Sequence, residues 1–167
     1  GATWQRTLFV SENTGAVDMA SDPAAPDVVF ASVWQTRYKP WLSYFASSEG
    51  DESGLYRSGD GGRTFTRVAG SGWPEGKLGR IGLAATHASG STRVYAAVEA
   101  KDAGGLYRSD DAGLSWKRVN DDRGLGSNYF GHTTVVPGDP DTVFVMGRSI
   151  RRCTAGGSTC KIFKGSP

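Results

Sequence analysis

Ser58-Gly59-Asp60-Gly61-Gly62-Arg63-Thr64-Phe65 and Ser109-Asp110-Asp111-Ala112-Gly113-Leu114-Ser115-Trp116 are two copies of one octapeptide, Ser-x-Asp-x-Gly-x-Thr/Ser-aromatic. A degenerate third copy reads Cys153-Thr154-Ala155-Gly156-Gly157-Ser158-Thr159-Cys160, and Gly1-Ala2-Thr3-Trp4 matches the tail of a fourth. The last motif position falls at Trp4, Phe65, Trp116 and Cys160, which makes repeats of 61, 51 and 44 residues. Repeats of that length each hold one supersecondary unit that must stack on its neighbours to bury its faces.

The flanks of the octapeptide repeat as well. Gly54-Leu55-Tyr56-Arg57 and Gly105-Leu106-Tyr107-Arg108 precede the two full copies, and Thr66-Arg67-Val68 and Lys117-Arg118-Val119 follow them. Each octapeptide is therefore the turn of a β-hairpin. The Asp carboxylate suits such a turn, because it accepts hydrogen bonds from backbone N–H groups just ahead of it. Gly62, Gly113 and Gly157 stand where a positive φ is needed. Ser58 and Ser109 open the motif, and Phe65 and Trp116 begin the next strand with a ring available for burial against a neighbouring unit. A catalytic role for Asp60 or Asp111 lacks a partner acid nearby, so both read as turn-closing groups.

A second apolar pair of segments precedes each hairpin. Val17 to Ala20 and Val28 to Ala31 flank a Pro/Asp turn, and Ile81 to Ala84 and Val94 to Val98 flank His87-Ala88-Ser89-Gly90. Thr133 to Val136 and Val143 to Met146 flank Pro137-Gly138-Asp139-Pro140. Four short strands per repeat, and no stretch of helical periodicity, predict an all-β chain of four-stranded antiparallel β-propeller blades. The expected division is an outer strand of a preceding blade at 1–14, a first blade at 15–70 with an insertion at 34–53, a second at 71–120 and a third at 121–167.

These motifs resemble the Asp-box, or BNR-repeat, β-propellers, and the resemblance spans essentially the whole chain. That group includes bacterial sialidases, xyloglucan-active hydrolases and sortilin-type receptors. The wording Gly-Leu-Tyr-Arg-Ser before the box is most similar to the sortilin-type and uncharacterised bacterial members. The resemblance implies the fold and leaves the activity open. The Arg-Ile-Pro segment of the sialidases is not matched, since Gly82 follows Arg80-Ile81. The Gly-Gly-Ala-Tyr-Arg-Trp context of the xyloglucan-active members is not found either.

The 24 glycines and seven prolines among 167 residues fit many tight turns. No leader peptide is visible, and no apolar run is long enough to span a membrane. A net charge of +2 selects no class of partner. From Thr142 onward Arg148, Arg151, Arg152, Lys161 and Lys164 meet no acid. Nucleic-acid binding needs a basic face with interleaved aromatics, so this stretch reads as a charged edge that discourages strand pairing. The sequence predicts no cofactor and no metal centre. Asn120-Asp121-Asp122 lacks the ligand series of a calcium loop and reads as a polar turn.

Cys153 and Cys160 take the two end positions of the degenerate box, on adjacent strands of a hairpin. A disulfide there would replace the turn-closing Asp that Ala155 lacks, and would imply a secreted, periplasmic or cell-surface location. The rival reading is metal binding by the two thiols, which have no nearby His or acid to complete a zinc set.

The insertion carries Trp34, Arg37, Tyr38, Lys39, Trp41, Tyr44 and Phe45, followed by Glu49, Asp51 and Glu52. Aromatic and basic groups on one loop stack on sugar rings or anchor a peptide, which makes Arg37, Tyr38, Lys39 and Trp41 the candidate ligand contacts. The alternative is that the segment folds over the first blade and buries its own rings. For glycoside hydrolysis two carboxylates are needed, and Asp18, Glu49 and Glu99 are candidates that spacing does not pair. His87 and His132 have no nucleophile element beside them and read as ordinary histidines.

Three classes of function follow: a non-catalytic binding or scaffold propeller recognising protein, peptide or glycan, part of a glycoside hydrolase, or a small hydrolase acting on its propeller surface. Three blades do not close a ring, so the chain is expected to form a homo-oligomer or to belong to a longer polypeptide.

Overall fold

A computed structural model describes residues 1–36, 49–126 and 131–164. Three four-stranded antiparallel sheets succeed one another along the chain. The first holds β1 (Thr14–Asp22), β2 (Ala25–Gln35), β3 (Gly54–Ser58) and β4 (Thr66–Arg67). The second holds β5 (Ile81–Ala88), β6 (Ser91–Val98), β7 (Gly105–Ser109) and β8 (Lys117–Asn120). The third holds β9 (His132–Val136), β10 (Asp139–Met146), β11 (Ile150–Thr154) and β12 (Thr159–Lys164). Within each sheet the strands pair in chain order, and among the first strands β1 lies against β5 and β5 against β9. These are propeller blades around a common axis. Residues 1–13 join none of the three sheets.

The middle blade shows why the strands read as continuous apolar runs. Along β6, Val94, Ala96 and Val98 face the first blade and cluster with Phe30 and Leu55 of that blade and with Ile81, Tyr107 and Trp116 of their own. Tyr95 and Ala97 point the other way and pack with Leu106, Val143, Val145 and Cys153 towards the third blade. Side chains alternate between the faces of a strand, so a blade buried on both sides needs apolar residues at every position.

Polar contacts along the inner strands fix the first blade on the second. Ser32 Oγ donates to Ile81 O at 2.8 Å, and Asp18 Oδ2 accepts from Leu83 N at 2.8 Å. Asp22, fully buried, accepts from Ala24 N, Thr92 Oγ1 and His87 Nδ1, each at 2.9 Å. Burial alone would raise the Asp22 pKa, but these hydrogen bonds outweigh it and the pKa is lowered.

Both full boxes close as their residue types require. Asp111 Oδ1 accepts from Leu114 N at 3.1 Å, Ser115 N at 2.9 Å and Ser109 Oγ at 2.7 Å, while Gly113 N donates to Ser109 Oγ at 2.8 Å. Asp60 repeats the pattern with Arg63 N, Thr64 N and Ser58 Oγ. The bond from Ser58 leads the interactions that hold the Asp60 carboxyl far below its usual pKa. For Asp111 burial works against the charge, and the bonds from Ser115, Ser109 and Leu114 override it. The degenerate box lacks the Asp; a disulfide joins Cys153 to Cys160 across β11 and β12, and Ala155 itself turns left-handed at φ 52°. Closing that loop contributes about 2–4 kcal/mol on a chain-entropy view.

One bond survives in all three boxes. The fourth residue donates its N–H to the start of the second strand of its own blade: Gly61 to Asp27 O, Ala112 to Thr92 O and Gly156 to Asp141 O, at 2.9, 2.9 and 3.0 Å. The fourth and fifth residues are left-handed every time, including Ala112 at φ 58°. This geometry turns the fourth carbonyl towards the preceding blade. Arg57 Nε donates to Ala112 O at 2.6 Å, and Arg108 Nη1 donates to Gly156 O at 3.0 Å. Beneath each arginine the fifth residue lies on an aromatic: a Cβ on Gly113 would press into Phe30, and one on Gly157 into Leu106, Val119 and Tyr95.

Asp111→Ala should therefore destabilise the protein by about 1–3 kcal/mol, the cost of stranded turn donors, measured by urea unfolding. Because the folded pKa values of Asp22, Asp60 and Asp111 are lowered, their contribution is present above the unfolded carboxylate value. It is lost as pH falls below about 4 and through the folded values. Melting temperature followed from pH 7 to pH 2 should fall across that window, and less steeply in Asp111→Ala.

Candidate functional site

Antiparallel order places the boxes and the first-to-second strand turns at one end of every blade. The second-to-third strand loops and the blade-to-blade connections gather at the other. Glu49, Lys77, Glu99, Lys101 and Arg123, each from such a connection, surround a cavity of about 560 Å³ at that end.

Local structure positions each group. Glu99 follows β6 and pairs with the chain entering β5: its N–H donates to Arg80 O at 3.0 Å, and its carbonyl accepts from Gly79 N at 2.8 Å. Its carboxylate Oε2 accepts from Arg80 N at 3.0 Å. Gly79 permits this, because a Cβ there would sit 2.8 Å from Glu99 Cγ. Arg123 begins the 3-10 turn Arg123–Leu125, which Asp122 caps by accepting from Gly124 N at 2.8 Å. Arg123 Nη1 donates to Lys101 O at 2.6 Å, and buried Leu125 anchors the turn from below. Burial opposes ionisation of Asp122, but Gly124 N and the paired Arg151 of β11 lower its pKa overall. Lys77 pairs with Asp51 at 3.4 Å, both exposed.

The candidate contacts Arg37, Tyr38, Lys39 and Trp41 lie outside the described residues. The feet of their insertion are described. Trp34 is buried, and Gln35 N donates to Ser53 Oγ at 2.9 Å. Gly50 bridges to Leu78, donating its N–H to Leu78 O at 2.9 Å. The last residue before that bridge, Glu49, is in the cavity wall. Of the three candidate carboxylates, Glu49 and Glu99 border one cavity, whereas Asp18 serves the interface between β1 and β5. Lys77, Lys101 and Arg123 had no signal in the sequence, since three unrelated connections supply them. His87 is engaged by Asp22, and His132 is exposed at the start of β9. The Asn120-Asp121-Asp122 stretch is a polar turn, with Asp122 N donating to Asn120 Oδ1 at 3.0 Å.

The arrangement presents two carboxylates and three cations around a cavity of the size that takes small ligands. Hydroxyl groups find both donors and acceptors there.

No family model matches the chain. Over 94 residues it is 33% identical to a xyloglucanase of Paenibacillus sp, an alignment covering 56% of this chain and 8% of that protein. Among solved structures, YCF48 from Cyanidioschyzon merolae superposes with a TM-score of 0.55 at 14% identity, over 90% of this chain and 37% of its own. The Niastella koreensis GH74 enzyme gives a TM-score of 0.54 at 20% identity, over 92% of this chain and 23% of its own. The chain thus spans a small part of the relatives it matches, and the structural likenesses establish its fold.

Gly126 closes the cavity floor with φ −87°, so a side chain there meets no backbone strain, but a Cβ would strike the Val98 carbonyl. Gly126→Ala should cost about 1–3 kcal/mol by overpacking, read as a lower urea midpoint with unchanged slope.

Proposed function

We propose that this arc is the ligand-binding part of a glycan-recognising β-propeller and is non-catalytic within these residues. The binding face is the loop end bounded by Glu49, Lys77, Glu99, Lys101 and Arg123. Arg37, Tyr38, Lys39 and Trp41 of the insertion are the proposed stacking and charged contacts. The observation that carries this reading is the position of the insertion's feet: Glu49, within that segment beside the Gly50 bridge, lines the cavity. Loops on a rigid β scaffold are where binding residues concentrate. Sugar recognition combines aromatic stacking with hydrogen bonds to hydroxyls; the cavity groups supply the hydrogen bonds, and the rings of the insertion are the proposed stacking partners.

Similarity to a xyloglucanase supports a xyloglucan-like glycan as the ligand class, and favours the glycan branch of the Asp-box resemblance over the sortilin-type branch. The Cys153–Cys160 disulfide supports an oxidising compartment, hence a secreted, periplasmic or cell-surface protein. A second reading, glycoside hydrolysis, is favoured by one observation: Glu49 and Glu99 border the same cavity, as an acid and base pair must.

Calorimetric titration with xyloglucan oligosaccharides tests the first reading. Arg37→Ala combined with Trp41→Ala should weaken binding at least about tenfold, as loss of an aromatic anchor does, with an unchanged melting temperature. No binding by the wild type to any glycan on an array, or unfolding of the double variant, rejects it. Reducing-end release from xyloglucan that disappears in both Glu49→Gln and Glu99→Gln selects the hydrolase reading instead.

A further inference from the structure

The seam between the first and second blades differs from the next seam at one charge. Arg57 and Arg108 hold the same place in their blades. Each stands opposite an aromatic, Phe30 or Tyr95, and each donates to the fourth carbonyl of the following box. Arg108 also has an acid. Asp110, the second residue of its own box, accepts from Arg108 Nε at 3.0 Å and pairs with Nη2 at 2.9 Å. The other oxygen of Asp110 accepts from Arg93 Nε at 2.5 Å.

In the first blade the counterparts of Asp110 and Arg93 are missing. Gly59 takes the place of Asp110, and Val28 precedes Val29 where Arg93 precedes Val94. Arg57 keeps its bond from Nε to Ala112 O. Its two terminal nitrogens have no hydrogen-bond or ion-pair partner among the described residues.

A cavity of about 330 Å³ opens beside this group, bordered by Arg57, Gly59, Thr64, Thr66, Leu114 and Trp116. Gly59 is exposed, and a Cβ there would lie 3.5 Å from Arg57 Nη1. No acid is in the wall. Asp60 is engaged by its own turn, accepting from Ser58, Arg63 and Thr64. A half-buried guanidinium with its terminal nitrogens open to a cavity selects a carboxylate, which can accept two N–H groups at once. Leu114, 66% exposed, gives the cavity an apolar side, and the Thr66 hydroxyl gives it a polar one.

We propose that this cavity between blades binds a small carboxylate ligand, whose carboxyl group takes the place on Arg57 that Asp110 takes on Arg108. The body of the ligand lies along Leu114, and Thr66 Oγ1 bonds a ligand hydroxyl where there is one. Aliphatic acids and the uronates of acidic sugars share the recognised group. The site is built from boxes and outer strands, and is separate from the cavity at Glu49 and Glu99.

Nuclear magnetic resonance at the indole N–H of Trp116, which donates to Gly113 O at 3.2 Å in the cavity wall, tests this. The titrants are propionate and glucuronate, with propanol and glucose as neutral counterparts. Both acids should shift the resonance with dissociation constants on the order of millimolar, and the neutral compounds should bind at least about tenfold more weakly. Tighter binding of glucuronate assigns the site to sugar acids, and the reverse order assigns it to aliphatic acids. Arg57→Gln should abolish the shift, but it also removes the bond to Ala112 O. Gly59→Asp avoids that loss, because it gives Arg57 the acid that Arg108 has. Its melting temperature should equal or exceed that of the wild type, and its affinity for both acids should fall at least about tenfold. Gly59→Ala adds bulk without charge and should bind within about twofold of the wild type. No shift from either acid at concentrations on the order of 0.1 M overturns the proposal, as do equal responses to acids and neutral counterparts. Undiminished binding in folded Gly59→Asp, or equal losses in the Asp and Ala variants, overturns the pairing with Arg57.

Discussion

A carbonyl aimed out of a left-handed turn at an arginine on the neighbouring sheet is the contact on which this architecture depends. Each sheet alone has two apolar faces and so cannot persist in water. Arg57 reaching Ala112 O, and Arg108 reaching Gly156 O, set how deeply one blade seats on the next. Phe30 and Tyr95 beneath them are sealed only because glycine, with no Cβ, occupies the fifth place of the docking box. A charged group that donates to a neutral carbonyl at a half-buried seam holds position, and Arg108 is itself held by an ion pair with Asp110 at 2.9 Å. Apolar packing supplies the bulk of the energy, and the arginine supplies the register.

The box carboxylates act one level below this. Asp111 shapes the turn whose carbonyl Arg57 reads, so a charge that touches no ligand still decides how two blades meet. The third box shows that the shape matters more than the means. Ala155 replaces the acid, a covalent bond replaces its hydrogen bonds, and the same two left-handed residues still present Gly156 O to Arg108. Strand direction sends boxes to one end and long connections to the other, so the cavity at Glu49 and Glu99 lies apart from the box contacts that join the blades.

Much of this was legible in the residues. Spacing of the octapeptide announced the repeats, the Pro/Gly/Asp turns bounded the strands, and Asp60 and Asp111 could be assigned to turn closure from their neighbours alone. Such features are local: a turn is decided by a few consecutive dihedral angles and one side chain that bonds its own backbone. The cysteines were legible for the same reason, since a hairpin sets its two ends side by side. Trp34 stood among insertion aromatics for which ligand stacking and burial over the first blade were both open; it lies in β2 and is core, because where a strand stops is set by its ladder and not by composition.

Contacts between distant segments belonged to the tertiary structure. No spacing rule pairs Glu49 with Glu99, or brings Lys77, Lys101 and Arg123 to them, because three separate connections meet only once the blades have stacked. Nor does the sequence show why Gly-Leu-Tyr-Arg repeats: its arginine serves the next blade's turn, 55 residues away in the first junction and 48 in the second. By itself the sequence determined the unit, a four-stranded blade closed by a polar turn, since local hydrogen bonding and strand alternation suffice for that. Only the packed arc decided which atoms those units share, because a junction exists only where two folded blades exclude water between them.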